Sequence, residues 1–185
     1  MAIVYADGFA LVNVVRAKIT TKDTSAKTHW FETASEISAE PASEEGEEKS
    51  LRVKNTIYAT NRTEDIVKGY DLKLKDNRFT PEVYALIDGG TLTKDEETGL
   101  YSYAAPVAGA PVRRTKFDLT IYMEEKEGEE VTGYTEITWP SCTGKPISPT
   151  FQDNEFFAPE LNISSRAPAA TSPMVISQVT ALPET

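Results

Sequence analysis

The residues able to do chemistry are few and scattered. The chain has one histidine, His29, and one cysteine, Cys142, far apart in sequence and neither accompanied by a base-orienting motif. A nucleophile needs an adjacent base that is itself held in place, so neither residue is assigned a catalytic role, and Cys142 reads as a small semi-buried side chain. Structural zinc needs about four nitrogen or sulfur ligands, more than one His and one Cys supply. A pair of carboxylates is the minimum for a glycoside hydrolase. The carboxylates here, however, concentrate in Glu40–Ser50 and Glu124–Glu130 rather than in an aromatic-lined cleft, and read as solvated charge. No EF-hand spacing and no phosphate-binding glycine loop is present. Asn61-Arg62-Thr63 and Asn162-Ile163-Ser164 match the glycosylation pattern and are read as chance matches. The sequence thus points to no catalytic residue, no metal and no cofactor.

Charge narrows the function classes further. Acidic residues number 29 against 19 basic ones, for a net charge of −10 over 185 residues. A surface that grips nucleic acid needs clustered Lys and Arg; this balance excludes it, while leaving room for nucleic acid as a neighbour that must not adhere. One cysteine permits no internal disulfide. The sequence shows no basic-then-apolar leader and no apolar run of membrane length, so the chain reads as soluble, made in a cytoplasm and without membrane anchoring. The length suits one substantial core.

The elements that must position everything else are strands around one helix. Thr80 is a candidate N-cap, Pro81 sits at the first helical position, Glu82 lies in the first turn and Gly89 can supply the left-handed stop. Phe79 and Tyr84 stand at the hydrophobic-staple positions, and Val83, Leu86 and Ile87 form one apolar face. Two helical turns cannot stand alone in water, so a sheet must carry them. Alternation predicts strands over Phe9–Thr20, His29–Ala39, Leu51–Thr60, Thr63–Lys75, Arg113–Glu124 and Val131–Trp139, with a small hairpin at Thr91–Thr93 and Leu100–Ala104. Glu40–Ser50 is expected to be a solvated loop and Glu124–Glu130 the acidic tip of a long hairpin. Prolines crowd the region after Trp139, leaving extended segments at Phe156–Arg166 and Met174–Leu182. The fold class is mainly β: one antiparallel sandwich or barrel-like domain over 1–185, with a short flanking helix, long hairpins and extended arms at 1–25 and 167–185.

The order of these segments resembles that of the major tail proteins of long-tailed bacteriophages, the tail tube subunits. The resemblance rests on Ser35-Glu36-Ile37-Ser38-Ala39-Glu40-Pro41, the acidic loop after it, the strand near Lys54–Ala59, and Lys68-Gly69-Tyr70-Asp71-Leu72-Lys73-Leu74 leading into the helix. It continues through Phe117-Asp118-Leu119-Thr120-Ile121-Tyr122, Trp139–Lys145 and a closing strand near Leu161–Ser165, and so covers roughly residues 30–166. It lies in order and spacing rather than in any single motif.

The resemblance implies a structural protein of the virion tail, not an enzyme. Six copies would form a ring whose hairpins join into a β-barrel channel, and rings would stack into the tube that delivers DNA. Its partners would be further copies of itself, with the tape measure, terminator, baseplate or sheath proteins beside them. A wall of Glu and Thr would let DNA pass, since Lys or Arg would gain counterion-release energy at each phosphate and brake it. On this reading Glu32, Glu36 and Glu136 face the lumen. Phe9, Leu11 and Val15, and Met174, Ile176 and Leu182, belong to arms that add strands to a neighbour. Arg113, Arg114 and Lys116 would meet acidic loops of the next subunit. The alternative reading is an exported β-sandwich module that binds carbohydrate or protein.

Overall fold

The computed structural model describes residues 8–184, so the first seven residues of the expected N-terminal arm, and residue 185, lie outside the described residues. Over the described residues the chain is mainly β, with antiparallel sheets and one helix. Twelve strands occur in the order β1 (Ala10–Thr21), β2 (Thr28–Phe31), β3 (Ala34–Glu44), β4 (Glu48–Val53), β5 (Thr56–Arg62), β6 (Ile66–Asp76), then helix α1 (Pro81–Asp88), β7 (Thr91–Lys94), β8 (Tyr101–Ala104), β9 (Phe117–Glu127), β10 (Glu130–Gly144), β11 (Glu160–Arg166) and β12 (Val175–Val179). The main sheet runs β2-β1-β9-β10-β11-β6-β3, and β12 pairs with β10 beside the stretch that β11 occupies. β4 pairs only with β5 and β7 only with β8.

The main sheet folds over a single core. Ala17, Ile19, Phe117, Leu119 and Ile121 from β1 and β9 share that core with Leu72, Leu74, Leu161 and Ile163 from β6 and β11. Successive side chains of a strand point to opposite faces, so these residues, two apart along each strand, line one continuous inner surface. Helix α1 closes the core with Val83 and Ile87 buried and Leu86 half-buried against it. Gly144 on β10 lets the helix sit close: a methyl there would overlap the backbone carbonyl of Ile87.

The helix follows its sequence signals with one exception. Pro81 opens it, Gly89 stops it at φ 84°, and the Phe79 and Tyr84 rings meet at 5.4 Å as the staple predicts. The Thr80 hydroxyl, however, makes no capping hydrogen bond; its backbone carbonyl accepts from Tyr84 N instead. At the other end Arg114 donates to the Asp88 carbonyl at 2.9 Å, a cation on the negative pole of the helix. The basic stretch expected to meet a neighbour thus places Arg114 on the chain's own helix.

Four strand boundaries differ from expectation for local reasons. The segment His29–Ala39 is two strands, broken where Thr33 donates its hydroxyl to Asp76. Glu40–Ser50 is mostly ladder rather than loop. β3 continues through Glu44 opposite Ile66, because a ribbon exposed on both faces can carry glutamates without burying them. Leu51–Thr60 is a hairpin, turned at Lys54, whose φ is 55°. The strand expected from Arg113 starts at Phe117, and its supposed polar face holds the buried Thr120 and Tyr122.

Candidate assembly surfaces

The β4–β5 hairpin is the least covered part of the molecule. All thirteen of its strand residues are exposed. Leu51 and Val53 share one face with Ala59 and Thr56, while Arg52 and Ile57 share the other. The register slips by one residue between Leu51 and Arg52, which leaves Tyr58 as the extra residue of a bulge; a bulge re-aims the side chain it carries, and Tyr58 is 77% exposed. The joint to the domain is fixed by Gly46 N donating to Asp65 Oδ1 at 2.8 Å and Glu47 N donating to Thr63 Oγ1 at 2.8 Å. Residues 48–62 carry Lys49, Arg52, Lys54 and Arg62 against Glu48 alone, a net +3, so the remainder of the chain carries −13. A bare two-stranded hairpin is marginal in water, and exposed apolar residues grouped on one protrusion mark a contact surface.

An aromatic cluster lies at the far end of the β3–β6 strand pair, whose near end carries this hairpin. Phe151 stacks on Phe157 at 4.8 Å, Phe157 meets Phe79 at 5.6 Å, and Phe79 meets Tyr101 at 6.4 Å. Tyr84 and Tyr103 cross edge to face at 5.2 Å behind them. Tyr103 donates its hydroxyl to the buried Asp88, and Asp88 also accepts from Ile147 N at 3.0 Å, which ties the following loop to the helix. Burial and the Asp88 carboxylate raise the Tyr103 phenol pKa far above its ordinary value. The outer members are open: Phe156 is 99% exposed and Phe151 75%. Sequence reasoning missed this cluster; the Phe156-Phe157 pair inside a proline-bounded loop was the available signal.

The three glutamates expected at the lumen do not form one acidic wall. Glu136 is half-buried opposite Tyr122, which in turn lies opposite Arg16. Glu32 accepts from Arg16 at 3.1 Å. These two glutamates therefore share a surface with Arg16 and Lys18, both of which approach the Trp30 ring. Glu36 stands on the other half of the sheet in a row Glu160, Lys75, Glu36 across β11, β6 and β3. Cations interleave both sets, because opposite charges at facing positions of neighbouring strands attract.

The terminal segments pair with the chain's own sheet. Phe9 and Leu11 are exposed and Val15 is half-buried, and β1 lies between β2 and β9 over Ala17–Thr20. In the C-terminal arm Met174 packs on the core, Ile176 is exposed, and β12 pairs Val175–Val179 with Thr138–Tyr134. Gln178 donates to Glu125 Oε2 at 3.1 Å and Thr135 donates to Oε1 at 2.6 Å. The arm thus completes the shell of a buried carboxylate on its own subunit, where strand addition to a neighbour was expected. Leu182 is half-buried, and next to it the Pro183 carbonyl accepts from Arg16 at 2.9 Å. The hairpin β9–β10 also has both edges occupied, by β1 and β12; the long open edge of the main sheet belongs to β3.

His29 and Cys142 stay apart. Two strands separate β2 from β10, about 14 Å at ordinary strand spacing. Burial lowers the His29 pKa and pushes the Cys142 thiol up to about 12. Among the described residues no group of three or more His, Cys, Asp or Glu is arranged to hold a metal ion, and no helix is long and apolar enough to cross a membrane. No protein-family model matches the chain, and no curated protein matches it.

Proposed function

We propose that this protein is the subunit of a phage tail tube, polymerising head to tail as stacked rings around a channel through which DNA passes. The observation that carries the reading is the β4–β5 hairpin, a basic and apolar projection with no covering from its own domain on an otherwise acidic chain. A projection that fits a different surface on an identical copy makes a heterologous contact, and such contacts repeat into rings or open filaments. The open β3 edge offers the second direction of growth, since an unpaired strand edge is a template for another chain. The surface on which Glu32 and Glu136 stand beside Arg16 and Lys18, with a net charge of −10 on the chain, suits a wall that DNA slides past, because Glu32 pairs with Arg16 and the Trp30 and Tyr122 rings cover Lys18. The segment order described above supports the same reading. The test is negative-stain electron microscopy of the concentrated protein at low and moderate salt. Stacked rings or tubes are expected, and a monodisperse monomer at every concentration would refute the proposal.

A further inference from the structure

The hairpin needs a receptor, and the fold places a suitable one at the opposite pole. β6 leaves the hairpin at Ile66 and ends at Asp76, ten residue steps or about 33 Å further on. At that far end Asp76 N donates to the Pro159 carbonyl, docking the aromatic loop 148–160. Lys75 lines two shallow hollows of about 220 and 330 Å³, walled by Phe151, Phe156 and Phe157 on one side and by Ile147 and Pro149 on the other. The loop carries Asp153, Glu155 and Glu160 and no basic residue.

We infer that the aromatic loop 148–160 is the socket for the β4–β5 hairpin of the next copy in the stack. This rests on the tube reading and names the partner surface within it. Three properties select a second copy of this chain as the occupant. The hairpin is net +3 and the loop net −3, or −2 with the Lys75 that lines its hollows, so charge is complementary. Each presents uncovered large side chains: Leu51, Val53, Ile57 and Tyr58 on one, Phe151 and Phe156 on the other. Hairpin and loop also occupy opposite ends of the β3–β6 strand pair, the arrangement a head-to-tail stack requires and a closed two-fold dimer does not. Tyr58, thrust out by its bulge, is the natural anchor, since aromatic residues in desolvated pockets dominate interface energetics.

Thiol cross-linking tests this directly, because the native Cys142 is buried and stays protonated. The variant Asn55→Cys, Gln152→Cys changes two exposed side chains beside the proposed contact and leaves Tyr58, Phe156 and the core intact. Treated with a short bis-maleimide, assembled protein is expected to give a ladder of covalent multimers, whereas dilute monomer gives none. A matched variant, Asn55→Cys, Val107→Cys, uses an exposed position on a different loop as control and is expected to stay monomeric on a denaturing gel. In a second arm Arg52→Glu, Lys54→Glu should weaken assembly at least tenfold, and adding Asp153→Lys, Glu155→Lys should restore it. Wild-type tubes without an Asn55–Gln152 ladder from the cysteine variant, or with an equal ladder in the control, overturn the socket while leaving the tube reading intact. Absence of wild-type tubes overturns the tube reading itself.

Discussion

Replacing Leu51 and Val53 with alanine separates folding from assembly. In the single subunit these side chains are 57% and 51% exposed and lie on a hairpin whose strand residues are all exposed. Substitutions at such positions change stability by no more than about 0.5 kcal/mol. In a stack the uncovered half of each becomes buried. Full burial of such a side chain is worth roughly 1.5–3 kcal/mol, so closing the exposed half contributes about 0.8–1.6 kcal/mol for each. Alanine keeps only a methyl, about a third of that burial, and the double variant forfeits about 1.1–2.2 kcal/mol per subunit contact. At about 1.4 kcal/mol per decade the critical concentration for polymerisation should rise about 6- to 40-fold. Light scattering against protein concentration, with sedimentation to separate polymer from monomer, reads the shift; urea denaturation of the dilute subunit reads stability. An unchanged critical concentration shows that the hairpin is not a contact. A subunit destabilised by more than about 1 kcal/mol shows that the hairpin packs on its own domain.

Other substitutions probe the fold. Gln178→Ala removes one of two side-chain donors to the buried Glu125 carboxylate, a loss of about 1.5–3 kcal/mol; an unshifted urea midpoint would mean that β12 is held by its backbone ladder alone. Ile87→Ala should cost about 2–5 kcal/mol and Leu86→Ala less, because Ile87 is fully buried and Leu86 is not, and equal costs would misplace the helix face. Thr80→Ala should cost less than about 0.5 kcal/mol, well under the usual N-cap value of about 1 kcal/mol, since the hydroxyl makes no cap bond; a full-size loss would restore it as a cap. The Lys145 ammonium, 2.9 Å away, holds the Asp71 carboxyl below its ordinary 3.8. A depressed folded-state pKa stabilises above the unfolded value and ceases to as pH falls through the folded one, so Asp71→Asn should flatten the acid side of a stability–pH curve below about 3.8. The effect is small because the pair is largely solvated.

The fold was legible where side-chain pattern alone decides it. Period-two alternation located β1, β6, β9 and β10, and the Pro81 and Gly89 punctuation located α1, because local sterics set both. Alternation could not tell solvent from a covered surface, so Thr120 and Tyr122 read as exposed although the sheet buries them. Charge density also misled: Glu40–Ser50 looked too acidic for regular structure, yet a two-faced exposed ribbon has no buried side to forbid glutamate. Partner choice was illegible for a different reason. β12 has the composition of an arm for any exposed edge, and which edge it takes depends on Glu125 and Thr135 lying beside the β10 edge, a long-range arrangement that no window of sequence displays.

The pairing of β1 with β9 sets a timetable for synthesis. Residues 10–21 emerge early, but their ladder partners lie at 117–126. At about 5–20 residues per second the ribosome needs roughly 5–20 s to deliver them. During that interval β2 can pair only Ala17–Thr20, so Val12 and Val14 have no ladder partner, and contacts this distant in sequence are slow to close. Loop 148–160 and β12 appear later still. On the tube reading a nascent chain therefore displays its basic hairpin before it has made the loop that would receive one. Assembly would then draw on completed subunits, and their concentration, not the density of polysomes, would govern when a tube begins.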